Sequence, residues 1–308
     1  MSHSLFIVDA FVGNFAARHL RGNPAAVVIL EAPREASWMQ HVAAEMNLSE
    51  TAFVSAINSE ISTKNEGAPG FDSNLEFEFE LRWFTPVSEV KLCGHATLAA
   101  AHILWESGRV PRDHAIRFHT LSGVIHAIAK NDWLWLDFPA APVTGTFAPP
   151  DLAAALQLSP REPISVFRAG DDFLVMVARG VVERIQPDFA WLHQISRQLK
   201  VRGFIVTSEP DLSLFTVAQS EDAQSESTEF DFVSRFFAPA IGIDEDAVTG
   251  SAHAALAPFW GAQLGKNSLI GFQVSGRGGL VRMNWRQNRV DLGGQCATFL
   301  RGTLEHSG

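Results

Sequence analysis

Tyrosine is absent from this chain of 308 residues, so no phenol is available as acid, base or nucleophile. Cysteine is scarce. Two are present, Cys93 and Cys296, too few for a disulfide scaffold or a four-thiolate metal site. No stretch reaches the roughly 18 consecutive apolar residues that a membrane-spanning helix needs. The opening M-S-H-S-L-F-I-V has no basic segment leading into an apolar run, so it does not read as a secretion signal. Lys and Arg do not cluster: 24 basic face 34 acidic side chains, a formal net charge of -10, which argues against nucleic acid and anionic membranes as partners. G-x-G-x-x-G, Walker, G-x-S-x-G, H-E-x-x-H and C-x-x-C patterns are all missing. The 11 histidines show no metal-ligand spacing. These absences lead to the expectation of a soluble cytoplasmic protein with no metal.

What is present is core-forming material: 46% apolar against 19% charged residues, too apolar for a disordered chain. The length is about twice that of a typical domain, so two domains are expected. Strand-like and helix-like runs alternate, an α/β pattern. Strands are expected at Leu5 to Val12, Ala25 to Leu30, Thr51 to Ala56 and Phe77 to Phe84, the first two separated by the turn signal Gly22-Asn23-Pro24. A helix is expected at Trp38 to Met46 with Ser37 as its cap. Leu98 to Trp105 is almost wholly apolar, which predicts a helix buried inside its domain. Strands at Gly123 to Ala129 and Trp133 to Phe138 precede a proline-rich stretch, Pro139 to Pro150, the best boundary. Beyond it come a short helix near Asp151 to Leu156, strands near Ser165 to Arg168 and Phe173 to Ala178, a helix at Phe189 to Leu199, and strands at Phe204 to Ser208 and Leu212 to Ala218. Lys64 to Asn74 and Ser220 to Thr228 read as surface loops.

The second half repeats the first. Arg82-Trp83-Phe84-Thr85-Pro86 recurs as Arg235-Phe236-Phe237-Ala238-Pro239, and Cys93-Gly94-His95-Ala96 matches Thr249-Gly250-Ser251-Ala252. Both offsets are close to half the chain. Acidic residues lie between the landmarks in each half (Glu89; Asp244, Glu245, Asp246), and an Ala-rich helix follows each. Duplication predicts two similar domains facing each other. Two buried helices, each opened by a Gly-x-Ala turn, would then aim their N-termini at one cleft, a setting for an anionic, carboxylate-bearing substrate.

Chemistry concentrates at those turns. Cys93 and His95 flank the start of the first buried helix, where the helix terminus favours thiolate and neutral imidazole. Their plain reading is a small buried Cys and a capping His. Asp246 could exchange a proton or orient an amine, while Ser251 and the amides near Gly250 could hold a carboxylate; the plain reading is an acid compensating a helix dipole with Ser as cap. Glu50, in N-L-S-E-T-A-F, stands where a helix passes into a strand, a place where burial can raise a carboxyl pKa. Taken alone it reads as a solvated turn residue. Cys296 has no acid, base or helix start beside it and reads as structural, His102 and His253 as core histidines, and Gly276-Arg277-Gly278-Gly279 as a tight connection rather than a phosphate loop.

These residues together resemble the PhzF-like (phenazine biosynthesis-like) family, which shares the diaminopimelate epimerase fold. The likeness runs from F-I-V-D-A-F and G-N-P-A through N-L-S-E-T-A-F, R-W-F-T-P, L-C-G-H-A-T-L-A and D-A-V-T-G-S-A-H to G-x-Q-V-S-G-R-G-G (Gly271 to Gly279) and Gly293-Gly294. It implies an α+β architecture of two pseudo-symmetric domains, each a barrel-like, mainly antiparallel sheet around a central helix. The domains are expected at 1–143, completed by a final strand at about 297–308, and at 144–296, with the active site in the cleft between them. The resemblance further implies a homodimer and a site without cofactor, in which Glu50 moves a proton on a small carboxylate substrate, as in the dihydrohydroxyanthranilate isomerase of phenazine synthesis. His95 and Asp246 are then the other catalytic groups, and Cys93, Gly94, Gly250 and Ser251 bind substrate. Epimerases of this fold use two cysteines as acid and base. Here Cys93 stands at one position and Thr249 at the other, which disfavours two-thiol epimerisation. A Cys93-dependent racemase and a non-catalytic ligand-binding or interaction protein stay as alternatives.

Overall fold

The structure, a computed structural model, describes residues 2–15, 18–57, 76–214 and 230–305. The chain divides into two units. One comprises Met1–Val12, Asn23–Phe138 and Asp291–Gly308, and the other Gly13–Gly22 and Pro139–Val290.

The first half of the chain contributes β1 (His3–Phe15), β2 (Arg18–Leu20), β3 (Asn23–Leu30), α1 (Ala36–Met46), β4 (Glu50–Ala56), β5 (Glu76–Phe84), β6 (Glu89–Val90), α2 (Gly94–Glu106), β7 (Ala115–Thr120), β8 (Gly123–Lys130) and β9 (Trp133–Pro139). The remainder contributes β10 (Val143–Thr146), α3 (Leu152–Ala155), β11 (Ser165–Ala169), β12 (Asp172–Met176), α4 (Phe189–Leu199), β13 (Phe204–Ser208), β14 (Phe232–Ala238), β15 (Ile243–Asp246), α5 (Gly250–Leu264), β16 (Ser268–Gln273), β17 (Gly279–Arg286) and β18 (Arg289–Leu304).

In the first unit the strands pair in the order β18, β1, β3, β4, β5, β7, β8, β9. β9 pairs back onto β18 and closes a barrel of eight strands. Two neighbours, β3–β4 and β5–β7, are parallel. Parallel neighbours need a long crossover, and the two crossovers hold α1 and α2. They are used in opposite ways. α1 presents Met39, Val42 and Ala43 to Val28, Leu30, Phe53 and Phe84 and leaves its other side wet. α2 is buried along nearly its whole length, with Leu98, Ala99, Ala100, Ala101, Ile103 and Leu104 fully enclosed. Closure pairs each of the eight barrel strands on both sides.

A helix fits inside a closed barrel only where the wall comes close. A Cβ at Gly294 would stand 2.4 Å from a carbon of Phe11 and 2.7 Å from one of Leu98. At Gly293 it would meet the Trp135 ring at 2.7 Å. Gly294 is therefore a packing requirement where β18 passes α2, and Gly293 one where β18 meets Trp135 of β9.

The second unit repeats this plan. β10, β11, β12, β13, β14, β16 and β17 pair in that order, with β12–β13 and β14–β16 parallel and the other neighbours antiparallel. The crossovers hold α4 and α5 in the places of α1 and α2. α4 caps with Asp188, whose carboxylate accepts from the Trp191 amide at 2.9 Å, while α5 is enclosed like α2. The repeated arginine has the same task in both units. Arg82 on β5 grips Glu89 on β6 through two contacts of 2.7 and 2.8 Å and lies over Phe84. Arg235 on β14 grips Glu245 on β15 at 2.7 and 2.8 Å and lies over Phe237. Each clamp ties down the short strand that leads into the buried helix.

Several expectations need correction. The cap of α1 is Glu35, not Ser37, and it makes no side-chain capping bond. Asn23 and Pro24 belong to β3, so the turn narrows to Gly22, whose φ is 60°. Asp151 precedes its short helix instead of joining it. Leu212–Leu214 forms a 3-10 turn with exposed leucines rather than a strand start. β2, β6, β7, β10 and β14 to β17 went unread; in β7, Ile116 and Phe118 alternate with Arg117 and His119 over only six residues, too short a signal. β18 starts at Arg289, well before 297, since Val290 and Leu292 are already buried in extended backbone. The loops expected at 64–74 and 220–228 lie outside the described residues. Among the described residues no helix is long and apolar enough to cross a membrane.

Replacing Gly294 by Ala is expected to lower the unfolding free energy of its unit by about 1–3 kcal/mol, the usual cost of overpacking. Gly145→Ala, where a Cβ meets nothing within 4 Å, serves as the control. Chemical denaturation of both variants measures the difference.

Candidate active site

In the first unit three chain segments bring polar groups to the start of α2. α1 ends on Asn47 in the left-handed conformation, φ 49°, with its amide bonded to the Ala43 carbonyl at 3.1 Å. This sharp ending turns Leu48 and Ser49 directly into β4, whose first residue is Glu50. Glu50 aligns with Ala25 of β3, two residues after Asn23. Cys93 is the N-cap of α2, extended at φ -144° and with no side-chain cap, and His95 lies in the first turn.

The contacts interlock. Glu50 Oε2 lies 3.2 Å from His95 Nε2, and both side chains are about nine-tenths or more buried. Ser49 Oγ is 3.2 Å from the same nitrogen. On the other side of the ring, Nδ1 lies 3.1 Å from the Asn23 amide nitrogen and 3.6 Å from Cys93 Sγ. Ser49 also donates to Asn23 Oδ1 at 3.4 Å, which orients the Asn23 amide with its nitrogen toward the imidazole. With Nδ1 accepting from Asn23, the ring proton sits on Nε2, which lies within hydrogen-bond distance of Ser49 Oγ. The site thus holds a buried carboxylate 3.2 Å from an imidazole that Asn23 and Ser49 position from both sides.

The second unit builds a matching turn with different chemistry. Asp246, buried at the end of β15, accepts from the Thr249 hydroxyl at 2.5 Å. Gln273, fully buried on β16, donates to the Asp246 carbonyl at 2.8 Å and accepts from the Thr249 amide at 2.8 Å. Ser275 donates to the Ala247 carbonyl at 2.6 Å and accepts from the Gly278 amide at 3.1 Å. Thr249 is the N-cap of α5, followed by Gly250 and a half-buried Ser251. The segment Gly276–Gly279 is a connection between β16 and β17, as its plain reading had it. It is pinned by Arg277, which donates to the carbonyls of Gly22 at 2.8 Å and Arg21 at 2.9 Å.

The structure therefore gathers Glu50, Cys93, Gly94 and His95 in one unit, and Asp246, Gly250 and Ser251 in the other. Asn23, Ser49 and Gln273 were missed as positioning residues. Asn23 was hidden in a turn signal, and Gln273 carried its only signal as part of G-x-Q-V-S-G-R-G-G. Cys296 lies on β18, and burial pushes its thiol up, away from nucleophilic use. His102 sits 3.1 Å from the Thr298 hydroxyl, with its pKa lowered first by burial. Glu50, Cys93 and His95 each offer a donor atom, all within 4.8 Å of one another, a set that could hold a metal ion.

The model of the phenazine biosynthesis-like protein family matches residues 12–302. The chain belongs to that family. It is 40% identical over 306 residues to a protein of Halalkalibacterium halodurans named an uncharacterized isomerase, covering 99% of both chains. Among solved structures, a PhzF-family phenazine biosynthesis protein of Enterococcus faecalis shares 35% identity at a TM-score of 0.78, covering 99% of this chain and 100% of that one. A hydroxyproline epimerase from Agrobacterium vitis aligns over 98% of this chain and 92% of its own with a TM-score of 0.56 at 10% identity. That more distant likeness concerns the fold, which is the diaminopimelate epimerase-like one.

His253, one turn into α5, is fully enclosed. Its Nδ1 donates to the Thr249 carbonyl at 2.8 Å, and burial lowers its pKa from 6.5 to about 4. Between these values the unfolded chain binds the extra proton and the native one does not, so stability falls as pH drops from 6.5 toward 4. The loss attributable to this group is about 3 kcal/mol. His253→Asn is expected to flatten that acid limb, read as unfolding midpoints across the interval.

Proposed function

We propose that the protein is an isomerase that moves a proton on a small carboxylate substrate, with Glu50 as the general base and acid. The observation that carries this reading is the 3.2 Å approach of Glu50 Oε2 to His95 Nε2, made in a buried setting at the start of β4. Glu50 takes a proton from a carbon alpha or vinylogous to the substrate carboxylate and returns it to another carbon. His95, 3.2 Å from Glu50, relays the proton, and Asn23 and Ser49 hold its ring in place. Both proton-transfer groups are side chains of the chain itself, and the step needs no cofactor. By the family resemblance Asp246 orients the substrate and Ser251 binds its carboxylate, and within each unit the uncapped amide at Gly94 or at Gly250 favours an anion. The isomerase name of the relative supports the reaction class, and the resemblance to the dihydrohydroxyanthranilate isomerase suggests a cyclic substrate.

One observation favours a second reading, a Cys93-dependent racemase. Cys93 Sγ lies 3.6 Å from His95 Nδ1 at the same helix start. The matching position on α5 is Thr249, whose hydroxyl is already committed to Asp246, so a second thiol is lacking. Cys93→Ser separates the two readings, because only the racemase requires the thiol.

Incubation in heavy water with cyclic and amino carboxylates, followed by NMR, is expected to show deuterium entering a C–H position. Glu50→Gln is expected to lose about 100- to 10,000-fold in that exchange while keeping its unfolding midpoint, the range general acid–base catalysis contributes. Full activity in that variant would refute the assignment, and no exchange with any compound would favour a binding protein on this fold.

A further inference from the structure

The proton-transfer cluster has a second chemical capacity. A thiol, an imidazole and a carboxylate stand together in Cys93, His95 and Glu50, with one donor atom from each within 4.8 Å of the others. This combination of ligand types is the one that binds zinc-like cations. The spacing is already half correct. With metal–sulfur and metal–nitrogen bonds of about 2.3 and 2.0 Å at a tetrahedral angle, the two donors stand about 3.5 Å apart. Cys93 Sγ and His95 Nδ1 are 3.6 Å apart.

We propose that Cys93, His95 and Glu50 form a binding site for a soft divalent cation of the zinc type. Cys93 Sγ and His95 Nδ1 make the chelate, Glu50 swings in as the third ligand, and the fourth position stays open to water. The cysteine binds as thiolate, so one proton leaves to solvent for each ion bound. Nδ1 is unprotonated in the native arrangement, because it accepts from Asn23, and it needs only to exchange that partner for the metal. Cys296 lies on β18 outside this cluster and takes no part. The ion occupies the base and the imidazole at once, which would switch the isomerase off. That consequence rests on the function proposed above, whereas the site itself does not.

Cobalt titration of the intact protein tests the site without an activity assay, since thiolate-bound cobalt absorbs by charge transfer. One equivalent of Co2+ is expected to produce that band and zinc to abolish it by displacement. Cys93→Ser should lose the band, Cys296→Ser should keep it, and Glu50→Gln should bind more weakly. If Cys93→Ser fails to fold, His95→Asn reads the same site through loss of one-to-one binding. No thiolate band in the wild-type protein overturns the proposal, as does a band that survives Cys93→Ser.

Discussion

The rest of the first unit depends on enclosing α2, a helix with almost no polar face, inside a closed eight-stranded barrel. Removing this much apolar surface from water is the dominant stabilising term available to the unit. It dictates the small residues along the helix and Gly294 opposite it. It also holds the N-terminus of α2 at a defined place, and the chemistry is assembled there. An exposed helix could rotate or fray at its first turn. One wrapped on all sides cannot, so Cys93 and His95 are held by packing before any polar contact is counted.

Polar contacts then refine what packing has placed. The Arg82–Glu89 and Arg235–Glu245 clamps recur because each short strand before a buried helix would otherwise have few partners. Two-point guanidinium contacts restrict such a strand better than single hydrogen bonds do. Asn23 and Gln273 act one level further in. Each places a buried amide at the start of a buried helix: Asn23 bonds His95, and Gln273 bridges Asp246 and Thr249. The two turns have diverged in chemistry while keeping one architecture, with thiol and imidazole on α2 against hydroxyls on α5. The proposed proton transfer and the proposed metal capture draw on one property of this thiol, imidazole and carboxylate, a set of converging lone pairs.

Much was legible in the residues themselves. Apolar periodicity located nine of the eighteen described strands and the buried helix, because side-chain alternation and enclosure leave direct marks on composition. The paired landmarks at Arg82 and Arg235, and at Cys93 and Thr249, announced the duplication, since both copies solve one packing problem with one set of residue types. The resemblance selected Glu50, which its local setting would have described as a solvated turn. Only the structure shows that setting to be buried and facing His95.

Other features depend on contacts between residues far apart in the chain, and local pattern does not encode them. Asn23 meets His95 across 72 positions. Gln273 reaches Asp246 across 27. Gly294 is required by Phe11 and Leu98, neither of which is near it in sequence. Residue types, their periodicity and their repetition determined which elements form and which side chains carry chemistry. Barrel closure decided which of those side chains meet, because strand pairing brings distant segments within a few ångströms, and at that range hydrogen bonds and proton transfer operate.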